Sequence, residues 1–194
     1  MANGTPLRET DRLNLEKAVV LIVDDNLQAL DILGQVLSGF GVKILHRCSG
    51  GQSAMDFIRS HRVDLVITDA NMPEVDGWTL VRWIRTESGE LNRYVPVIVC
   101  TGYTRLSQIL RSRDCGANFV IAKPITPRVI LERIFWVAGD ERSFIECETY
   151  TGPDRRFRHV GPPADQAGRR KDDMQPRPAE AESAQVGGEV KEVL

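Results

Sequence analysis

Five short apolar runs, each rich in β-branched residues and each followed by a helical pattern, constrain the fold of this chain most strongly. The runs are Ala18–Val23, Val42–His46, Leu65–Thr68, Val97–Cys100 and Phe119–Ala122. The helical patterns are Leu27–Leu37, Gly51–Ser60, Trp78–Thr86, Leu106–Arg113 and Arg128–Val137. Short continuous apolar runs are typical of parallel strands buried on both faces. Their alternation with helices predicts an α/β fold, a doubly wound five-stranded parallel sheet with helices on both faces.

The chain changes character near residue 140. After Tyr150 large apolar residues become scarce, while proline, glycine and charged residues are frequent. Such a segment buries too little apolar surface to offset the entropy of ordering it. We therefore expect a flexible lead over residues 1–16, a folded domain over 17–139, and a mostly disordered extension over 140–194. The extension has no repeated apolar helical periods, so we expect no DNA-binding module in it and no direct DNA binding.

Composition excludes several classes of protein. The net charge of -2 argues against a strongly basic nucleic-acid binder. The longest apolar run, Ala18–Val23, is far shorter than the about 20 residues of a membrane helix. The N-terminus has no basic segment followed by an apolar stretch, so we expect no secretion signal. Four widely spaced cysteines without a Cys-x-x-Cys pair argue against a zinc site or a disulfide framework and favour the cytoplasm.

Three aspartates fall at the ends of predicted strands. The first run ends at Asp24 and Asp25, and the third ends at Asp69. Because the carboxyl ends of parallel strands share one sheet edge, these side chains should converge. Two like charges about 4 Å apart repel by about 4 kcal/mol at an effective dielectric constant of about 20. The cluster therefore requires a cation or a shifted pKa, and oxygen-only ligands favour Mg²⁺. The alternative is that Asp24 and Asp25 only cap the following helix.

The last two predicted strands end in different chemistry. Thr101 follows the fourth run and Lys123 follows the fifth. Taken singly, the threonine could satisfy a turn and the lysine could be a surface charge. A hydroxyl and an ammonium beside a metal-binding acidic cluster are suited to holding a phosphoryl group.

These segments together resemble a response-regulator receiver domain over about residues 17–138. The matching residues are Val23-Asp24-Asp25-Asn26, Thr68-Asp69-Ala70-Asn71-Met72-Pro73 with Asp76-Gly77, Cys100-Thr101-Gly102, and Gly116-Ala117 with Lys123-Pro124. The resemblance implies the flavodoxin-like strand order 2-1-3-4-5. It also implies a bacterial two-component phosphorelay protein, which is a phosphoprotein with no enzymatic activity beyond self-phosphorylation and slow self-dephosphorylation.

The resemblance assigns a role to each strand-end residue. Asp69 is the expected phosphoacceptor, which takes the phosphoryl group from phosphohistidine on a sensor histidine kinase or a histidine phosphotransferase. Asp25, Asp69 and the backbone carbonyl of Asn71 are the expected Mg²⁺ ligands, and Asp24 is expected to act mostly through water. Thr101 and Lys123 are expected to bind phosphoryl oxygens.

Two features around Lys123 stay open. Pro124 follows a cis bond in the resembled family, or it caps an ordinary turn here. Receivers usually carry a tyrosine or phenylalanine three residues before the lysine, whereas this chain has Val120 there and Phe119 one place earlier. Tyr103 could take the place of the aromatic residue that moves when receivers switch, or it could gate access to Asp69. The alternative is that switching proceeds without an aromatic residue.

The output surface is predicted from the last helical pattern. Large apolar residues surround most of the helix over 128–137, more than a domain core can cover. We assign Ile134, Phe135 and Trp136 to an output surface. It would bind a downstream protein target, a second copy through the helices predicted at 106–113 and 128–137, or the chain's own Ser143–Tyr150.

Two functional hypotheses follow. In the first, phosphorylation of Asp69 with Mg²⁺ switches protein–protein contacts. In the second, the protein is a phosphorylation-independent adaptor that keeps the receiver fold. A magnesium phosphatase is a weaker third hypothesis, because no cap domain is visible in the sequence. The segment Arg155-Arg156-Phe157-Arg158 suits an acidic surface or a phosphate, but a solvated basic tail explains it as well.

Overall fold

A computed structural model describes residues 14–102, 115–140 and 142–154. The predicted helix over 106–113, Tyr103 and most of the predicted N-terminal lead lie outside these residues. None of the helices in the described part of the chain is long and apolar enough to cross a membrane.

Five parallel strands form the central sheet. They are β1 (Val19–Val23), β2 (Ile44–Cys48), β3 (Leu65–Asp69), β4 (Val97–Thr101) and β5 (Phe119–Ala122). Their order is β2-β1-β3-β4-β5, which confirms the predicted order. The three central strands are buried almost completely, as expected when helices cover both faces of a parallel sheet.

Four described helices cover the sheet. They are α1 (Leu27–Gly39), α2 (Gly51–Ser60), α3 (Gly77–Thr86) and α4 (Pro127–Ala138). Residues of α2 and α3 pack with one face of the sheet in one apolar cluster. Residues of α1 and α4 pack with the other face in a second cluster. The prediction of helices on both faces is confirmed.

The cap of α1 decides one of the open alternatives. The side-chain oxygen of Asn26 accepts hydrogen bonds from the amides of Gln28 and Ala29, so Asn26 is the N-cap. Asp24 accepts from the amide of Asn26 instead. The interpretation of Asp24 and Asp25 as caps of this helix is wrong, because the cap lies one residue further along.

A β-hairpin follows α4, where the sequence patterns predict no strands. It consists of β6 (Phe144–Cys147) and β7 (Tyr150–Pro153), paired antiparallel. β7 contacts α3, and the ring of Phe144 meets Tyr94 edge-on at 4.7 Å. Ordered structure thus continues past residue 139. The suggestion that Ser143–Tyr150 lies over the last helix is wrong, since the hairpin packs beside α3.

Candidate functional site

The carboxyl edge of the sheet brings four of the predicted site residues to one place. Asp24 follows β1, Asp69 ends β3, Thr101 ends β4, and Lys123 follows β5. The Lys123 Nζ lies 2.6 Å from Asp69 Oδ1 and 3.1 Å from Asp24 Oδ2. Asp69 and Asp24 are only 6% and 8% exposed. A single ammonium therefore bridges two buried carboxylates and offsets part of their combined negative charge.

The two carboxylates also change the pKa of Lys123. Burial alone lowers its pKa, but hydrogen bonds and charge attraction from Asp69 and Asp24 outweigh burial and raise the pKa above the ordinary lysine value. Lys123 therefore stays protonated at neutral pH. The sequence predicts repulsion between these acids. In this structure the Lys123 ammonium offsets part of that repulsion.

The second oxygen of Asp69 is held by the backbone. Its Oδ2 accepts a hydrogen bond of 2.6 Å from the amide of Asn71. The sequence analysis named the Asn71 carbonyl as a metal ligand and missed this amide, because a backbone donor leaves no signature in residue types. The loop stays close to the strand because Gly77 packs on the Asp69 carbonyl with no room for a Cβ. Both oxygens of Asp69 are thus oriented before any partner binds.

The metal prediction requires a separate test. Asp24, Asp25 and Asp69 offer the carboxylate oxygens that a hard divalent cation prefers. Within residues 14–102, 115–140 and 142–154, however, no three His, Cys, Asp or Glu side chains are grouped closely enough to hold a metal ion as they stand. Asp25 is exposed, and the Lys123 ammonium bridges Asp24 and Asp69. The oxygen atoms of these residues suit Mg²⁺, but their side chains do not form a preformed coordination site in the described residues.

A pocket of about 260 Å³ adjoins the site. It lies between α1 and α4, and apolar side chains such as Ile32, Leu33 and Ile130 line most of it. Asp24, Asp69 and Lys123 form its polar wall. Cys100 also lines it, but burial raises the pKa of this thiol to about 12. The thiol is therefore protonated at neutral pH, so the carboxylate is the available nucleophile.

The segment around β5 answers two open questions. The Lys123–Pro124 peptide bond is cis, which is one of the two alternatives for Pro124. Val120 packs with the α2 and α3 side of the core, whereas Phe119 packs with the α1 and α4 side. Neighbouring residues of a strand point to opposite faces. Phe119 therefore does not replace the aromatic residue that Val120 lacks.

The predicted output surface is corrected at one residue. Ile134 is 3% exposed and belongs to the core, together with Ile130 and Val137. Ile130, Ile134 and Val137 are spaced four and three residues apart, so they share one helix face, and that face meets the core. Phe135 and Trp136 are half-buried. The ring of Trp136 packs edge-on against Phe119 at 5.2 Å.

Comparison with known proteins shows the family of this chain. The family described as response regulator receiver domain matches residues 20–135. The polar-differentiation response regulator DivK of Brucella anthropi is 32% identical over 121 residues, which are 62% of this chain and 96% of DivK.

Solved structures give the same result. The chemotaxis response regulator CheY4 of Vibrio cholerae aligns with a TM-score of 0.57 and 26% identity over 62% of this chain and 98% of CheY4. The receiver domain of a sensor histidine kinase from Pseudomonas aeruginosa, solved with a magnesium ion in its active-site cleft, aligns with a TM-score of 0.56. It is 26% identical and covers 63% of this chain and 98% of that domain. From its match to the family over residues 20–135 and its strand order, this chain belongs to the response regulator receiver domain family.

Proposed function

We propose that this protein is a phosphoacceptor response regulator of a two-component phosphorelay. Asp69 takes a phosphoryl group from phosphohistidine on a sensor histidine kinase or a histidine phosphotransferase in the cytoplasm. The observation that carries the proposal is the buried Asp69 carboxylate, whose Oδ1 lies 2.6 Å from the Lys123 ammonium at the carboxyl edge of the sheet. A nucleophile and a cation at this distance can hold an incoming phosphoryl group in place.

The transfer exchanges one bond for another. An Asp69 oxygen forms a new bond to phosphorus, and the bond between phosphorus and the donor histidine nitrogen breaks. The nitrogen keeps the electron pair of that bond. Phosphoryl transfer passes through a loose, charge-rich transition state, so the protein contributes mainly position and electrostatics. Lys123 and the Thr101 hydroxyl are the groups that would bind phosphoryl oxygens.

Mg²⁺ is part of the proposal. Asp25, Asp69 and the Asn71 carbonyl would hold it, with Asp24 mostly acting through water, and the bound ion would neutralise part of the phosphoryl charge. Support comes from the oxygen chemistry of these residues and from the magnesium-bound receiver of Pseudomonas aeruginosa. Lys123 would stay close to Asp69, because burial of that carboxylate keeps the pairing favourable.

The output we propose is a change of protein–protein contacts. Phosphorylation brings the Asp69 side chain to a charge of about -2. The half-buried Phe135 and Trp136 on α4 are candidates for the surface that a downstream protein or a second copy contacts. Their neighbours Arg133 and Arg142 lie over the rings of Phe119 and Trp136, at 4.4 and 4.8 Å. A rearrangement of these stacked contacts would alter that surface.

A direct experiment tests the phosphoacceptor. The full chain is incubated with Mg²⁺ and acetyl phosphate, and intact-mass spectrometry looks for one base-labile phosphoryl adduct. We expect the adduct in the wild type and in Asp56→Asn, which changes an exposed acid on α2. We expect none in Asp69→Asn. An adduct that survives Asp69→Asn would overturn the assignment of the acceptor.

The second candidate function is a phosphorylation-independent adaptor. It is favoured by Val120, which takes the place of the aromatic residue that receivers usually carry. Absence of any adduct with several phosphodonors, in a protein that binds its target equally well as Asp69→Asn, would support the adaptor. Turnover of an added phosphoester would instead support a phosphatase.

A further inference from the structure

The edge of the sheet opposite Asp69 carries a polar cluster with one buried and three half-buried members. We name it the Asn118 node, and it consists of Arg85, Asn118, Asp140 and Arg142. Arg85 is 1% exposed, although it ends an amphipathic helix. Its guanidinium donates to the carbonyls of Gly116, Arg93 and Val95 at 2.9, 2.7 and 2.8 Å, and to Asn118 Oδ1 at 3.0 Å. Burial lowers the pKa of Arg85 to about 10, so the group remains a cation at neutral pH.

Asn118 uses both its backbone and its side chain in this node. Its amide donates to the Val97 carbonyl at 2.9 Å, and its Oδ1 accepts from the Val97 amide at 2.9 Å. Its carbonyl accepts from Arg142 Nη2 at 3.1 Å, and its Nδ2 lies 3.4 Å from Asp140 Oδ2. Val97 is the first residue of β4, and Asn118 directly precedes β5. The node therefore fixes where both strands begin.

The hairpin closes the node from the other side. Arg142 Nη2 lies 2.7 Å from Asp140 Oδ2, and Arg142 Nη1 donates to the Asp154 carbonyl at 3.1 Å. Asp154 is in turn tied by its amide to the Ser143 carbonyl at 2.8 Å. Arg142 thus connects the strand-start residue Asn118 to both ends of the hairpin.

Two glycines allow the hairpin to pack closely against the loop before β5. Gly116 has a φ of +90°, and a Cβ there would lie 2.3 Å from the Thr151 carbonyl oxygen. A Cβ on Gly152 would lie 2.6 Å from the Gly116 Cα and 2.7 Å from the Tyr150 hydroxyl. Tyr150 donates that hydroxyl to the Pro153 carbonyl at 2.6 Å. The backbone of β7, Tyr150–Pro153, therefore packs directly against Gly116.

The far ends of the same two strands carry the phosphoryl-binding residues. β4 ends at Thr101, and β5 is followed at once by Lys123. Among the strands of the described residues, β5 is a four-residue edge strand whose partner is β4, and the Lys123 amide donates to the Thr101 carbonyl at 2.7 Å. The ladder of hydrogen bonds with β4 fixes the position of β5 along that strand, from Phe119 beside Ile98 to Ala122 beside Thr101. A displacement at Asn118 would therefore reach Lys123.

We propose that the hairpin and the Asn118 node position Lys123 against Asp69, with Arg142 as the main positioning residue. The phosphoryl-transfer part of this inference rests on the proposed function. The hairpin lies beyond residues 20–135, which match the receiver family, so this device is an addition to the matched domain.

The test uses the full chain and two hairpin variants, Arg142→Ala and Gly152→Ala. Gly39→Ala is the matched control, because a Cβ at this exposed helix end meets nothing within 4 Å. The first readout is the ¹H–¹⁵N correlation signal of the Lys123 ammonium in the unphosphorylated protein, assigned with Lys123→Arg. The second is the rate of acyl-phosphate formation with acetyl phosphate and Mg²⁺.

We expect the Lys123 signal to be present in the wild type and the control, and broadened or lost in both hairpin variants, because a loosened ammonium exchanges its protons faster. The phosphorylation rate should fall by about twofold to thirtyfold, the range for mutations that act through a coupled network. Arg142→Lys keeps the charge beside Asp140 but not the forked contacts, so it should be intermediate. It also serves as the readout if Arg142→Ala does not fold.

The results distinguish the positioning role of the hairpin from the proposed phosphoacceptor function. Folded hairpin variants with a wild-type Lys123 signal and a wild-type rate would overturn the positioning role and leave the hairpin only a stabilising one. A changed Lys123 signal, in a protein whose wild type forms no acyl phosphate, would support the positioning role while the proposed function fails.

Discussion

Replacing Arg85 by methionine tests how much the buried guanidinium stabilises the fold. Methionine has a similar length and no donors, so the carbonyls of Gly116, Arg93 and Val95 lose the partners at 2.7 to 2.9 Å that they have now. Each buried acceptor left without a donor costs about 1–3 kcal/mol, so three cost at least about 3 kcal/mol. Relief from burying a charge offsets part of this loss. We expect Arg85→Met to lower the free energy of unfolding by about 2–3 kcal/mol.

Urea denaturation followed by circular dichroism measures this loss. With a slope of about 2 kcal/mol per molar urea, the midpoint should fall by about 1 M while the slope stays the same. The matched control is Arg82→Met on the same helix. The Arg82 side chain is exposed and donates to the Thr79 hydroxyl, so its loss should stay within about 0.5 kcal/mol. An Arg85→Met protein as stable as the control would refute the role of the guanidinium.

Three further predictions concern the hairpin and the cysteines. Gly116→Ala should lower the free energy of unfolding by at least about 2 kcal/mol in urea denaturation, since its Cβ would collide with the Thr151 carbonyl at a positive φ. Burial raises the pKa of Asp140, but hydrogen bonds and charge from Arg142 outweigh it and lower the pKa. The Asp140–Arg142 pair should therefore stabilise the fold above about pH 4 and lose its effect as the pH falls. Between about pH 7 and pH 3, the urea midpoint of Asp140→Asn should fall less than that of the wild type. At about pH 8 a thiol reagent should modify the exposed Cys147 well before the three buried thiols, and mass spectrometry should find no fast site in Cys147→Ser.

Strand ends were the most predictable part of this molecule. Asp24, Asp69, Thr101 and Lys123 all follow apolar runs, and the geometry of a parallel sheet places such residues on one edge. The β2 strand begins at Ile44, two residues after the predicted Val42. Val42 is just as buried as a strand residue, but its amide bonds the Leu37 carbonyl in the turn after α1. Apolar character alone does not distinguish these two roles.

Non-local contacts were the part that sequence patterns could not show. Arg85 lies on a helix where an arginine usually faces solvent, and only acceptors from distant loops explain its burial. The two hairpin strands are only four residues each, too short for a clear strand pattern, and their close approach depends on Gly116 and Gly152, which lie far apart in the sequence. Ile134 was misplaced because an almost continuous apolar helix hides which face meets the core.

The central claim is that Asp69 accepts a phosphoryl group. The most direct measurement treats the full chain with acetyl phosphate and Mg²⁺, reduces it with borohydride, and sequences the peptides by mass spectrometry. Reduction of an acyl phosphate converts the modified aspartate to homoserine, which marks the acceptor permanently. The account predicts homoserine at position 69 and unmodified aspartate at Asp24 and Asp25. Homoserine at either of those residues, or at none of the three, would contradict it.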